Sequence, residues 1–141
     1  MPYNPSRPNY YDRNPKTIVE LASVNPAAAT RTETTDWTYT VPTGRKAYAE
    51  QAFGMVRNDS STALNGAGYA YICVTPDGGS TTRYIEVVIE MLANTVNQVS
   101  APSAAVLLAG DDIQGHSKSQ NSAAGSDMWI VESAKITEFD A

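Results

Sequence analysis

The sequence predicts an all-β sandwich or barrel of about eight strands, led by an extended arm. Three observations carry this. Short runs rich in aromatic and β-branched residues recur along the chain, with turn signals every 8–12 residues, the spacing of sandwiches and barrels rather than of α/β folds. The segment Tyr84 to Leu92 alternates strictly, with Ile85, Val87, Ile89 and Met91 on one face and Tyr84, Glu86, Val88 and Glu90 on the other. Five of the eight prolines fall within the first 26 residues.

Those prolines (Pro2, Pro5, Pro8, Pro15 and Pro26) define the first division. Proline fixes φ and lacks an amide donor, so residues 1–26 read as extended, polyproline-like chain rather than long helix or central strand. At about 3.1 Å per residue such an arm reaches on the order of 80 Å, far beyond its own domain. Residues 27–141 read as the sandwich. Within the arm, Thr17 to Leu21 has strand character of its own.

The domain then unfolds element by element. Trp37 to Val41 is a strand of aromatic and β-branched residues, and Pro42-Thr43-Gly44 turns it. Ala47 to Val56 follows, with Phe53 and Met55 on one face. Gly66-Ala67-Gly68 breaks the chain before a strand from Tyr69 to Thr75, and Pro76-Asp77-Gly78-Gly79 turns it into Tyr84–Leu92. Thr95 to Val99 is a short candidate. Val106-Leu107-Leu108 ends at the turn Ala109-Gly110-Asp111-Asp112, and Pro102 with Gly110 limits any helix over 101–108. Ile113 to Ser117 is a further strand, Ser119 to Asp127 a small, polar loop, and Met128 to Phe139 a long final strand. No internal repeat is evident.

Composition excludes several classes. A hydrophobic fraction of 42% with 18% charged residues suits a folded core. The net charge of -5 argues against a bulk-cationic nucleic-acid binder. The single cysteine, Cys73, permits neither an intrachain disulfide nor a cysteine-rich zinc site, and its apolar run Tyr71-Ile72-Cys73-Val74 predicts a buried small hydrophobe. No apolar stretch approaches the roughly 20 residues of a membrane span, and the leading residues lack the apolar region of a secretory signal. Asn58-Asp59-Ser60 matches a glycosylation acceptor but has no such signal ahead of it.

Catalytic constellations lack parts. His116 is the one histidine, and no Gly-x-Ser-x-Gly elbow accompanies it; an exposed strand end is its expected place. Gly66-x-Gly68 and Gly78-Gly79 lack the strand-to-helix setting of a phosphate loop. Asp111 and Asp112 are adjacent, so on a strand they point to opposite faces and do not converge on a substrate; a turn role is expected. Asp77, Asp111 and Asp112 lack the spacing of an EF-hand calcium loop. Trp37 and Trp129 suit a core or a subunit interface, with sugar stacking as the alternative, and Tyr69 and Tyr71 share a face that they cover. The sequence therefore predicts no enzyme, no catalytic residue, no metal and no cofactor.

Candidate binding residues lie mainly in the arm. Tyr3, Tyr10 and Tyr11 alternate with Arg7 and Arg13, residue types favoured at binding hot spots. Trp37 joins them as a candidate partner contact. With Lys16, Asp12 and Glu20 the arm carries +1, leaving -6 on the domain, so a slightly basic arm is suited to an acidic neighbour.

Three stretches carry a family resemblance. They are Tyr39-Thr40-Val41-Pro42-Thr43-Gly44-Arg45-Lys46-Ala47-Tyr48, then Val106 to Ile113, then Ser133-Ala134-Lys135-Ile136-Thr137-Glu138-Phe139. Together they resemble small jelly-roll proteins of tailed bacteriophages that decorate, or cement, the capsid, over about three quarters of the chain from Trp37 onward. The resemblance implies a jelly-roll-like antiparallel β-sandwich bound to the outer surface of a virion, made in the host cytoplasm. It implies the major capsid protein as partner, a homo-oligomer (trimer or dimer), no direct nucleic acid and no membrane. The arm would reach onto adjacent subunits. A tail or fibre module, or a carbohydrate-binding sandwich for host attachment, is the alternative.

Overall fold

A computed structural model describes residues 14–26, 30–61, 66–77, 79–89, 93–121 and 127–141. Eight strands follow in order: β1 (Lys16–Val24), β2 (Arg31–Thr40), β3 (Arg45–Asn58), β4 (Gly68–Thr75), β5 (Thr82–Ile89), β6 (Thr95–Leu108), β7 (Asp112–Ser119) and β8 (Met128–Asp140). They form two four-stranded antiparallel sheets, ordered β1-β8-β3-β6 and β2-β7-β4-β5.

The pairing explains the topology. β1 pairs with β8, β2 with β7, β3 with β6 and β4 with β5. The chain is thus one long antiparallel hairpin of four strand pairs. Rolling it up brings β8 beside β3 and β7 beside β4. That is the jelly roll, the double-sheet solution of the β-edge problem.

Two boundaries differ from the sequence reading. β1 belongs to the sandwich, paired from Lys16↔Glu138 to Val24↔Ile130, so the domain begins within the arm proposed for 1–26 rather than at residue 27. Pro15 and Pro26 bracket this strand without interrupting it, and Ile18, Ala22 and Val24 face inward. Secondly, Thr95–Val99 and Val106–Leu108 are parts of one 14-residue strand, β6, because β3 is equally long and pairs along it from Asn58↔Thr95 to Lys46↔Leu108. Pro102 is accommodated because β6 is an edge strand and the register shifts at Ala49/Gln51. Residues 90–92 and 122–126 of the sequence-predicted elements lie outside the described residues.

The turns read as expected. Arg45 N donates to Pro42 O at 3.1 Å, and Gly44 at φ 77° supplies the positive φ that the third position of a type II turn demands. Asp111 caps the β6–β7 turn: its Oδ2 accepts from Leu108 N at 2.9 Å, while its Oδ1 accepts from Asp77 N at 2.9 Å and ties in the β4–β5 turn. Asp112 accepts from Thr40 Oγ1 at 2.5 Å. Asp111 therefore does the turn work, while Asp112 opens β7 and bonds its cross-strand partner Thr40.

The core lies between the sheets, around Trp37, Tyr39, Val41, Ile72, Ile85, Leu107, Ile113 and Ile136, with Ala47, Ala49, Ala52 and Ala134 at close approaches. Gly115 sits opposite Trp37 in the β2–β7 register, where a Cβ would come within 2.2 Å of the indole nitrogen. The indole occupies the volume that this glycine leaves.

Candidate interaction face

Alternation along β3 places its small residues inward. Ala47, Ala49, Ala52, Gly54 and Val56 are buried, while Tyr48, Phe53 and Met55 point to the outer face of the sheet. A strand in a self-sufficient sandwich buries its larger apolar side chains, because burial of apolar area is what stabilises the fold. β3 does the reverse.

Its neighbours continue the pattern. Val19 pairs with Lys135 and Leu21 with Ser133, so both lie on that outer face, 65% and 64% exposed. Val106 lies opposite Tyr48 and Leu108 opposite Lys46, and Val96 lies opposite Arg57. Of the seven large exposed apolar residues among the described residues, only Val99, opposite buried Gly54, lies off this face. Phe139 stacks on Tyr48 at 5.1 Å between ring centroids. Between the ridges runs a shallow depression of ≈ 360 Å³ lined by Val19, Gln51, Phe53, Ser133 and Lys135. Lys135 Nζ pairs with Glu50 at 3.0 Å beside it. Clustering of large exposed apolar side chains on one face, rather than their scatter over the surface, marks an interaction surface.

The outer face of β2-β7-β4-β5 has the opposite character. Arg83 lies 3.7 Å over the Tyr71 ring and pairs with Glu33 at 2.6 Å, and Glu33 reaches His116 Nδ1 at 3.3 Å. Tyr69 stacks on Tyr71 at 6.0 Å, with Lys118 above it. His116 is mid-strand in β7 with a side chain 12% exposed, not at an exposed strand end, because Glu33, Gln114 and Thr35 enclose it. Cys73 is fully buried and burial raises its thiol pKa.

The candidate binding residues separate. Tyr3, Arg7, Tyr10, Tyr11 and Arg13 lie outside the described residues. Trp37 is interior, 8% exposed, and its Nε1 donates to Glu132 O at 3.1 Å. In the sandwich it packs the core instead of presenting itself to a partner, since the gap at Gly115 draws it in. Trp129 lies opposite Arg57 on the outer face, half-buried. Asn14, ahead of β1, lies beside a charged cluster. Arg45 donates to Asn14 O at 2.9 Å, contacts Glu138 at 3.3 Å and pairs with Asp140. Glu138 is buried and accepts the Tyr39 hydroxyl; burial, then this carboxylate, raises the phenol pKa.

One interior group escaped the sequence reading. Glu132 has no exposed surface, and neither carboxylate oxygen has a hydrogen-bond partner. Asp36, itself paired with Arg31 at 2.6 Å, stands near enough to add repulsion. Burial first and Asp36 second push the Glu132 pKa up to about 8, against the pull of Arg31. The signal was present in β8, where Glu132 falls in phase with Met128, Ile130, Ala134 and Ile136. Among the described residues no three His, Cys, Asp or Glu side chains are grouped to hold a metal ion.

Fold and surface together define a class: a jelly-roll sandwich with one apolar and one polar outer face. No family model matches the chain, and no curated protein matches it. Among solved structures it is similar to chains in the structure of infectious bursal disease virus Gx strain, with TM-score 0.48 and 12% identity over 90% of this chain and 32% of that one. The infectious bursal disease virus VP2 subviral particle gives 0.42 and 12%, covering 90% and 33%. The empty head of turnip yellow mosaic virus gives 0.42 and 12%, covering 100% and 87%. The chain spans about a third of the length of the first two. The jelly-roll assignment rests on the strand pairing alone.

Proposed function

We propose that this chain is a viral structural protein that binds the outer surface of a bacteriophage capsid and cements neighbouring capsomers, its leading segment reaching onto adjacent subunits. The observation that carries the reading is the segregation of large exposed apolar side chains onto the outer face of β1-β8-β3-β6. An isolated sandwich gains nothing from that arrangement, whereas an assembly subunit buries it. The jelly-roll topology and the resemblance running from Trp37 onward support the same reading. The leading residues suit it too, since they supply three tyrosines and two arginines ahead of β1. No catalytic residue or cofactor enters the proposal.

The test is attachment to shells of the parent particle prepared without this protein. Removing residues 1–13 leaves β1 intact. The full chain is expected to bind and raise the temperature at which the shells rupture, with the truncated chain at least tenfold weaker. Shells that neither bind nor gain stability from the full chain would refute the proposal; equal binding by the truncated chain would remove the arm from it. The sugar-binding alternative loses one of its two tryptophans, because Trp37 is interior.

A further inference from the structure

We infer that the outer face of β1-β8-β3-β6 is a self-association surface whose occupant is the same face of a second copy of this chain. The inference rests on reading this face as an assembly surface, and its test separates the two.

Three features select a second copy. The first is extent. Four strands at roughly 4.8 Å spacing, each 9 to 14 residues at roughly 3.4 Å rise, offer roughly 800 Å². Each partner in a standard-size interface buries about that much.

The second is shape. A two-fold interface needs projections and hollows on one and the same surface. Leu21 projects from β1, and beside it lies the depression lined by Val19, Gln51, Phe53, Ser133 and Lys135. Ser133, between Leu21 and Phe53 in the cross-strand register, keeps that hollow open. The one surface thus carries both a projection and a hollow, as a two-fold contact requires.

The third is charge. The chain as a whole carries -5, which opposes self-association. On this face Lys46, Arg57 and Lys135 stand against Glu50 and Asp59, and Lys135–Glu50 and Arg57–Asp59 are already paired at 3.0 and 2.7 Å. This nearly balanced face adds little repulsion between two copies of an acidic molecule. β1 and β6, the two edges of the sheet, bring Val19, Leu21, Val96, Val106 and Leu108 to the rims of the patch, so the apolar contact extends across its full width.

The experiment is sedimentation of the full-length 15.1 kDa chain at roughly 1 to 100 μM, the range in which an interface of this size with nM to μM affinity associates. The wild type is expected at about twice the monomer mass. Leu21→Glu and Val106→Glu, at exposed positions that leave the core untouched, should each weaken the dimer by roughly 30-fold or more, as loss of an interface anchor does. Thr38→Glu, exposed on the other sheet, should leave it unchanged. A wild type that stays monomeric throughout overturns the inference, as does a dimer indifferent to both variants. If the monomer nevertheless binds shells and Leu21→Glu abolishes that binding, the occupant is the shell: self-association fails while the attachment reading stands.

Discussion

Replacing Glu132 by Gln isolates one ionisation in the sandwich interior. The wild-type carboxyl titrates near 4.5 when unfolded and near 8 when folded. Its folded pKa is raised, so the protonated form is the one the fold accepts. The stability associated with this group is complete below pH 4.5, declines as pH rises, and is lost once the pH passes about 8. The gap between about 8 and 4.5 corresponds to a loss of about 5 kcal/mol above pH 8, of which about 3 kcal/mol has gone by pH 7. Glutamine keeps the shape and polarity but does not titrate. The facing charges, Asp36 and Arg31 on β2, remain paired with each other in both proteins and cancel in the comparison. Urea unfolding is followed by tryptophan fluorescence, to which both Trp37, whose indole donates to the Glu132 carbonyl, and Trp129 contribute. At pH values of about 5, 7 and 9, which span the titration, the variant's advantage should grow from under ~1 kcal/mol to several kcal/mol. Parallel pH–stability curves for the two proteins would show that the carboxyl is solvated or paired in solution, and the reasoning would fail.

Three further outcomes follow from the interior and its rim. Gly115→Ala sets a methyl against the Trp37 indole and should destabilise by roughly 1–3 kcal/mol with a shift in tryptophan emission; unchanged stability would mean the indole lies elsewhere. Arg45→Ala leaves the buried Glu138 carboxylate with the Tyr39 hydroxyl and Lys16 at 4.0 Å and should lower stability by roughly 1–3 kcal/mol, while Glu138→Gln in that background recovers part of the loss in thermal unfolding; a variant as stable as wild type would contradict the pairing. Cys73, fully buried and with its thiol pKa raised, should resist a thiol-specific disulfide reagent in the native protein and react fully in denaturant; rapid native labelling would contradict its placement.

Local chemistry wrote some of this fold openly. The Pro42–Gly44 and Gly110–Asp112 turns, and the strands that flank them, follow from residues adjacent in sequence. Long-range partners decided the rest. β6 reads as two fragments because Pro102 and small residues separate its apolar ends, and only the 14-residue ladder with β3 makes it one strand. β1 hides inside a proline-rich segment because its stabilising partner, β8, lies more than a hundred residues away. Alternation in β1 offers Ile18, Ala22 and Val24 on one face and Val19 and Leu21 on the other, and nothing local says which is buried. The register with β8 settles it. Trp37 looks like a contact residue in sequence; the vacancy that draws it inward belongs to Gly115, 78 positions on.

The interior and the outer face obey one constraint. Where two sheets approach closely, facing positions must be small, and β3 answers with Ala47, Ala49, Ala52 and Gly54. Each buried alanine removes little apolar area from water, so this part of the sandwich gains less per residue than a leucine-rich core. The interior also holds an unpaired carboxyl at Glu132. The large apolar side chains that would compensate (Val19, Leu21, Tyr48, Phe53, Met55, Val106 and Leu108) stand on the other side of the same sheet. Transfer of that set from water, at roughly 1.5–3 kcal/mol for each fully buried large side chain, becomes available to the fold only when something covers the sheet. Folding stability and assembly are therefore linked: whatever binds this face binds the folded chain alone and stabilises it by mass action. A chain so constructed should unfold at a temperature that climbs with its own concentration if the cover is a second copy, and with shell concentration if it is not.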